Sequence, residues 1–114
     1  MSLFRVTAYI RPHKLEEVKT AAAGLGITGM TFSDARGCGS HPEQSASIGG
    51  HEILVSLPIR SKLEIAVEDE LLEPLIDAIV QAARTGESGD GKIFVEELTE
   101  VIRVRTEERG PAAV

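Results

Sequence analysis

The sequence predicts an α+β fold in which a strand–helix–strand unit occurs twice, and three observations carry that expectation. Residues 2–10 alternate with a period of two, and apolar positions of helical spacing follow at 15–25. The same order returns later, with alternation over 62–68 and a strongly amphipathic stretch over 71–83. Each half closes on a β-compatible segment, ITGMTFSDA in the first and IFVEEL with VIRVRT in the second. Two such units within 114 residues describe the ferredoxin-like arrangement, an antiparallel sheet with both helices on one face.

The first strand, SLFRVTAYI, sets Leu3 and Arg5 on one side and Phe4, Val6, Ala8 and Ile10 on the other. Pro12 stops it, and LEEVKTAAAGLG places Leu15, Val18, Ala21, Ala22 and Leu25 on one helical face, with Gly24 or Gly26 as the terminator. ITGMTFSDA is the second strand. A polar stretch over 36–51 separates it from two β-rich runs, HEILVSLPI, which ends near Pro58, and KLEIAVE, where Leu63, Ile65 and Val67 alternate. The second helix carries Leu71, Leu72, Leu75, Ile76, Ile79, Val80 and Ala83, with Asp69 expected as its N-cap and Pro74 expected in its first turn. TGESGDGK breaks this helix, IFVEEL and VIRVRT supply closing strands, and EERGPAAV is a tail, mobile in isolation or docked on a neighbour.

The chain has the length of one domain with a single modest core. A hydrophobic content of 42% with 26% charged residues argues against disorder. The net charge of -6 disfavours nucleic-acid binding, which draws on clustered Lys and Arg. A single cysteine cannot form an internal disulfide, no apolar run approaches a membrane span, and the N-terminus shows no signal pattern, so a cytoplasmic protein without membrane insertion is expected. A sheet covered on one face only invites self-association.

Two features point to anion chemistry. In ARTGESGDGKIFV, Gly86, Gly89 and Gly91 surround Asp90 and lead to Lys92. A Walker loop runs from strand to helix with Ser or Thr after the lysine, whereas this one runs from helix to strand with Ile93 after it. Glycines at positive φ can still aim backbone N–H groups at phosphate oxygens, and Lys92 adds a mobile cation. A plain glycine-rich turn is the alternative. In VIRVRT, Arg103 and Arg105 are two apart on an expected strand and so share a face, a planar bidentate pair matched to phosphate or carboxylate. A solvated edge strand ion-paired to nearby glutamates is the alternative.

RPHKLEEVK, ITGMTFSDARGCG, LLEPLIDAIVQAARTGESGDGKIFV and VIRVRTEERG, in this order and spacing, resemble the nitrogen-regulatory P-II signalling proteins over nearly the whole chain. The resemblance implies one P-II-like domain over 1–114, with a flexible T-loop at about 38–54 and a C-terminal tail at about 107–114. It implies a homotrimer of ferredoxin-like subunits binding ATP, ADP or AMP in the clefts between neighbours. The matching positions nominate Gly89, Asp90, Gly91 and Lys92 for the phosphates and Arg103 and Arg105 from the adjoining subunit. Gly37 and Gly39 are nominated to line the nucleotide, and Thr31, Glu64 and Ala66 to lie around adenine and ribose. The T-loop of this family contacts transporters, enzymes or regulators according to the ligand held.

The sequence also departs from the family. His41 stands where nitrogen-sensing members carry a glutamine that helps hold Mg²⁺ and 2-oxoglutarate, and Arg60 stands for the lysine that pairs with that ligand. Imidazole suits transition metals better than Mg²⁺. His41 and Arg60 are thus candidates for a second small anion, which leaves open 2-oxoglutarate, the bicarbonate of carboxysome-type relatives, or none. Ile53 replaces the tyrosine used for nucleotidylation, and the single tyrosine, Tyr9, lies in the first strand. Ser40, Ser45 and Ser47 are candidate phosphorylation sites against a background of ordinary loop serines. Cys38, His41 and His51 are a candidate metal trio, weakened by the lack of a fourth ligand, and the alternative is a solvated loop. His13 reads as a surface residue at a helix start.

The expectation is a regulator of nitrogen or carbon metabolism, not an enzyme, with Mg²⁺ as a candidate companion of the nucleotide. A slow ATPase is the competing enzymatic reading. It lacks a group to position the attacking water. A metal-responsive regulator is the third.

Overall fold

The structure, a computed structural model, describes residues 2–36, 45–48, 51–54 and 58–114, the two short middle stretches by backbone alone. In chain order the elements are β1 (Leu3–Ile10), a 3-10 turn (Pro12–Lys14), α1 (Leu15–Ala23), β2 (Thr31–Arg36), β3 (Ser45–Ile48), β4 (His51–Leu54), β5 (Ile59–Glu68), α2 (Asp69–Ala83), β6 (Lys92–Leu98) and a 3-10 turn (Gly110–Ala113). Four strands form one sheet in the order β2-β5-β1-β6, with antiparallel neighbours throughout. This is the ferredoxin-like arrangement.

The register explains why the helices cover one face. Opposite pairs Val6–Ile65 and Ala8–Leu63 on β1 and β5 are buried, as is Val67, which pairs with Phe4. They join Val18 and Ala22 of α1 with Leu75, Ile79 and Ala83 of α2 in one cluster. Removing a side chain such as Leu75 from water stabilises the fold by about 2 kcal/mol. The other face carries Arg5, Thr7 and Tyr9 beside Ala66, Glu64 and Lys62 of β5 and Glu96, Phe94 and Lys92 of β6, with neither α1 nor α2 over it. Phe94 remains 50% exposed there.

Local chemistry sets the boundaries. Pro12 holds Arg11 extended and ends β1. The Gly24 N–H caps α1 on the Thr20 carbonyl, and Gly26, at φ 85°, supplies the left-handed turn that follows. Glu68 occupies the N-cap of α2 in extended conformation, so Asp69 is the first helical residue and not the cap expected from sequence. Asp69 and Glu70 lie in the first turn, where the helix dipole favours carboxylates.

Three further expectations are corrected. Pro74 lies inside α2, one residue past the first turn and a half, and leaves the Glu70 carbonyl without its intrahelical donor. Both residues are exposed. HEILVSLPI does not form one strand of the main sheet. Its first part is β4, which pairs with β3 in a separate ladder from Ser45–Leu54 to Ile48–His51, and β5 begins only after Pro58. VIRVRT is not a strand either. Ile102 makes an isolated bridge with Arg109, and the chain reverses between them, with the Arg103 N–H on the Glu108 carbonyl at 2.9 Å and Glu107 at φ 61°. The tail returns on its own chain, where the Gly110 N–H donates to the Val101 carbonyl at 3.0 Å.

Candidate functional site

The segment linking α2 to β6 is organised around one carboxylate. Asp90 Oδ2 accepts the backbone N–H groups of Thr85 and Gly86, each at 2.9 Å, and Oδ1 accepts the Thr85 hydroxyl and Arg11 Nε, the latter at 3.1 Å. A second arm of Arg11 donates to the Ser88 carbonyl at 2.6 Å. The Thr85 hydroxyl first, then the two backbone donors and Arg11, hold the Asp90 carboxyl well below the usual carboxylate range. At neutral pH it is a fixed anion whose charge is spent inside the loop.

Gly86, Gly89 and Gly91 have φ of 93°, 97° and 103°, a region that other residues enter only at a cost. At Gly91 space is also decisive. A Cβ there would sit 1.6 Å from the Tyr9 carbonyl oxygen. The loop is thereby pressed against the end of β1, and the next residue, Lys92, enters β6 opposite Tyr9. Among the described residues the Lys92 ammonium has no ion-pair partner.

Lys92 belongs to a row across the uncovered sheet face. Reading along the strand order, Ser33, Lys62, Tyr9 and Lys92 are successive register partners. The Lys62 ammonium lies 3.1 Å from Glu64 and 5.9 Å from the Tyr9 ring centroid. The Glu64 hydrogen bond and charge raise the Lys62 pKa, so it stays cationic. Tyr9 meets Phe94 edge to face at 6.0 Å. The face thus offers cations and aromatic rings together with a glycine loop at one edge, a combination suited to an anion carrying a flat ring.

The residues nominated from sequence fall into separate groups. Gly89, Asp90, Gly91 and Lys92 are contiguous at the β6 edge. Thr31 and Glu64 are register partners at the β2 edge, with Ala66 two residues along β5. Glu64 and Ala66 are on β5, with only β1 between them and β6, a separation of roughly 10 Å, whereas Thr31 on β2 is roughly 14 Å from β6. The glycine loop and Thr31 thus stand at opposite edges of one sheet face. Arg103 and Arg105 do not share a strand face, since the segment is a turn, and Arg103 lies 3.5 Å from Glu108. Arg60, opposite Ala35, donates to the Ile59 carbonyl at 3.0 Å, and burial with the nearby Arg11 charge lowers its pKa. Gly37, Gly39, Cys38, His41 and Ser40 lie outside the described residues, as do the side chains of Ser45, Ser47, His51 and Ile53. Among the described residues, no three His, Cys, Asp or Glu side chains come together as a metal site. No described helix is long and apolar enough to cross a membrane.

Sequence reasoning missed Arg11 and Thr85. Thr85 had a legible local signal, a hydroxyl residue opening a glycine-rich turn that contains an aspartate. Arg11 had none, because its partner lies 79 residues away.

The model of the family described as "Nitrogen regulatory protein P-II" matches residues 3–108. A nitrogen regulatory protein P-II of Microchaete diplosiphon is 46% identical over 110 residues, covering 96% of this chain and 98% of the relative. Nitrogen regulatory protein P-II 1 of Escherichia coli K12 is 40% identical over 110 residues, with the same coverage of 96% and 98%. The crystal structure of Arabidopsis thaliana PII bound to citrate superposes with a TM-score of 0.82 at 39% identity, covering 99% of this chain and 92% of that one.

Proposed function

Because the chain belongs to the nitrogen regulatory protein P-II family, we propose that it senses adenine nucleotides in clefts between subunits of a homotrimer and regulates a target protein through residues 38–54. The relatives bear the names of regulators and not of enzymes, in keeping with a signal-transducing role.

The observation that carries this reading is the split site. A shaped glycine loop ending in Lys92 lies at one edge of an uncovered sheet face, and Thr31 lies at the other beside Glu64 of the inner strand β5. Packing that face against a second copy both hides Phe94 and sets the loop of one subunit near the opposite edge of the next. In this arrangement the N–H groups of Gly89 and Gly91 with Lys92 hold the phosphates, and Arg103 and Arg105, both exposed on their turn, reach them from the adjoining subunit. Asp90 belongs to the same site by shaping the loop, since its oxygens are engaged by Arg11, Thr85 and Gly86. Gly37 and Gly39, next in sequence after β2, line the nucleotide, and Thr31, Glu64 and Ala66 supply the face for the base and ribose.

ATP, ADP and AMP are the effectors, with Mg²⁺ accompanying ATP. A second anion is received near Arg60 and His41. Citrate bound to the Arabidopsis protein supports a small carboxylate in this family without naming the ligand used here. The protein acts in the cytoplasm on nitrogen or carbon metabolism.

The test is calorimetric titration of ATP, ADP and AMP, alone and with 2-oxoglutarate or bicarbonate, on protein whose mass is measured by light scattering. Three nucleotides per trimer support the proposal. A monomer, or a trimer with no saturable nucleotide binding, overturns it.

A further inference from the structure

We infer that Arg11 is a positioning residue for the phosphate loop, setting its grip on phosphate by bracing Asp90 and Ser88 against the end of β1. The inference rests on the nucleotide reading above and deepens it.

Three contacts converge on the last residues of β1 and the one that follows. Gly91 presses on the Tyr9 carbonyl so closely that no Cβ fits. Arg11 Nε reaches Asp90 Oδ1 at 3.1 Å, and Arg11 donates through a second nitrogen to the Ser88 carbonyl at 2.6 Å. The two side chains of the Arg11–Asp90 pair are 18% and 24% exposed, so water competes weakly for this bond. Pro12 holds the Arg11 backbone extended and so fixes where its side chain starts. Arg11 therefore grips both sides of Gly89, the carbonyl of Ser88 before it and the carboxylate of Asp90 after it.

That grip has a direction. A carbonyl and a carboxylate facing a phosphate would repel it. Arg11 draws both towards β1, and because a trans peptide sets its N–H opposite its C=O, the Gly89 N–H turns to the other side. The planar fork of arginine makes two such bonds in fixed geometry, which a lysine ammonium on a flexible stem reproduces poorly. Loosening the grip would lower affinity for ligands in proportion to their phosphates and leave contacts to base and ribose intact.

The experiment compares wild type, Arg11→Gln, Arg11→Lys, Asp90→Asn and the double variant Arg11→Gln/Asp90→Asn. Calorimetry reads ATP, AMP and adenosine affinity, and hydrogen exchange reads the loop amides without ligand. We expect Arg11→Gln to weaken ATP about tenfold or more while adenosine changes less than about twofold, with Arg11→Lys in between. Because Arg11 acts through Asp90, the double variant should lose little beyond the worse single variant. Faster exchange of the Thr85 and Gly86 amides in Arg11→Gln is expected as well. Additive losses would show that Arg11 touches the anion directly, and equal losses for ATP and adenosine would show only general destabilisation; either overturns the inference. A wild type that binds no nucleotide ends the nucleotide reading, and unchanged amide exchange in Arg11→Gln separately ends the bracing role.

Discussion

Gly91 and Tyr9 touch backbone to backbone, at a point where a Cβ on residue 91 would lie 1.6 Å from the Tyr9 carbonyl oxygen. Residue 91 also holds φ 103°. Gly91→Ala meets both penalties at once and should cost about 3 kcal/mol or more. Gly86, at φ 93° with open space where its Cβ would go, carries only the conformational penalty, and Gly86→Ala should cost about 1–2 kcal/mol. Urea denaturation of the two variants compares them, and equal losses would contradict the close approach.

Asp90 stays ionised in the folded loop at pH values where a free aspartate is protonated. Its folded pKa is depressed, chiefly by the Thr85 hydroxyl, so the stability it contributes is complete above the ordinary aspartate pKa of about 3.9 and is lost as pH falls below that towards the folded value. Carboxyl NMR shifts should therefore show no Asp90 titration between about pH 3 and 5. A midpoint near 4 would mean that its four hydrogen bonds do not persist in solution.

Pro74 sits in the interior of α2 on its exposed side, where it removes one helix hydrogen bond. Pro74→Ala restores a donor for the Glu70 carbonyl and improves helix propensity, against a smaller loss from a freer unfolded chain. The net gain should be about 1 kcal/mol or more, visible as a raised Tm. A lowered Tm would show that the proline has a packing role that its exposure does not reveal.

Phe94 tests the uncovered face as an assembly surface. Placing a carboxylate there with Phe94→Asp leaves the core around Leu75 and Ile79 untouched, since that core lies across the sheet. Light scattering should show the proposed trimer dissociating at micromolar protein while circular dichroism keeps its helical signal. An undisturbed trimer would place the interface elsewhere.

Much of this fold was legible because β1, β5 and α2 state their periods plainly. Val6, Ala8 and Ile10, then Leu63, Ile65 and Val67, alternate without interruption, and all six are buried together. The failures have physical causes. VIRVRT has β propensity, yet Thr106, Glu107 and Glu108 reverse the chain through local hydrogen bonds and a left-handed residue, and local bonding overrides propensity. The β3–β4 pair was signalled by Gly49-Gly50 between short β-compatible runs, a pattern hidden by the polar composition around it. At the site, glycine spacing and Lys92 could be read from sequence. The orientation of Asp90 was legible only in part, since Thr85 and Gly86 are local partners but Arg11 is brought near only by the fold.

The most direct measurement of the central claim is calorimetric titration of ATP into wild type and Lys92→Ala, with both shown to be equally folded. The account predicts saturable binding to wild type and an affinity lower by about tenfold or more in Lys92→Ala, since the lysine supplies a charge-assisted contact to phosphate. Equal affinity in the two proteins, or no saturable binding to wild type, would contradict it.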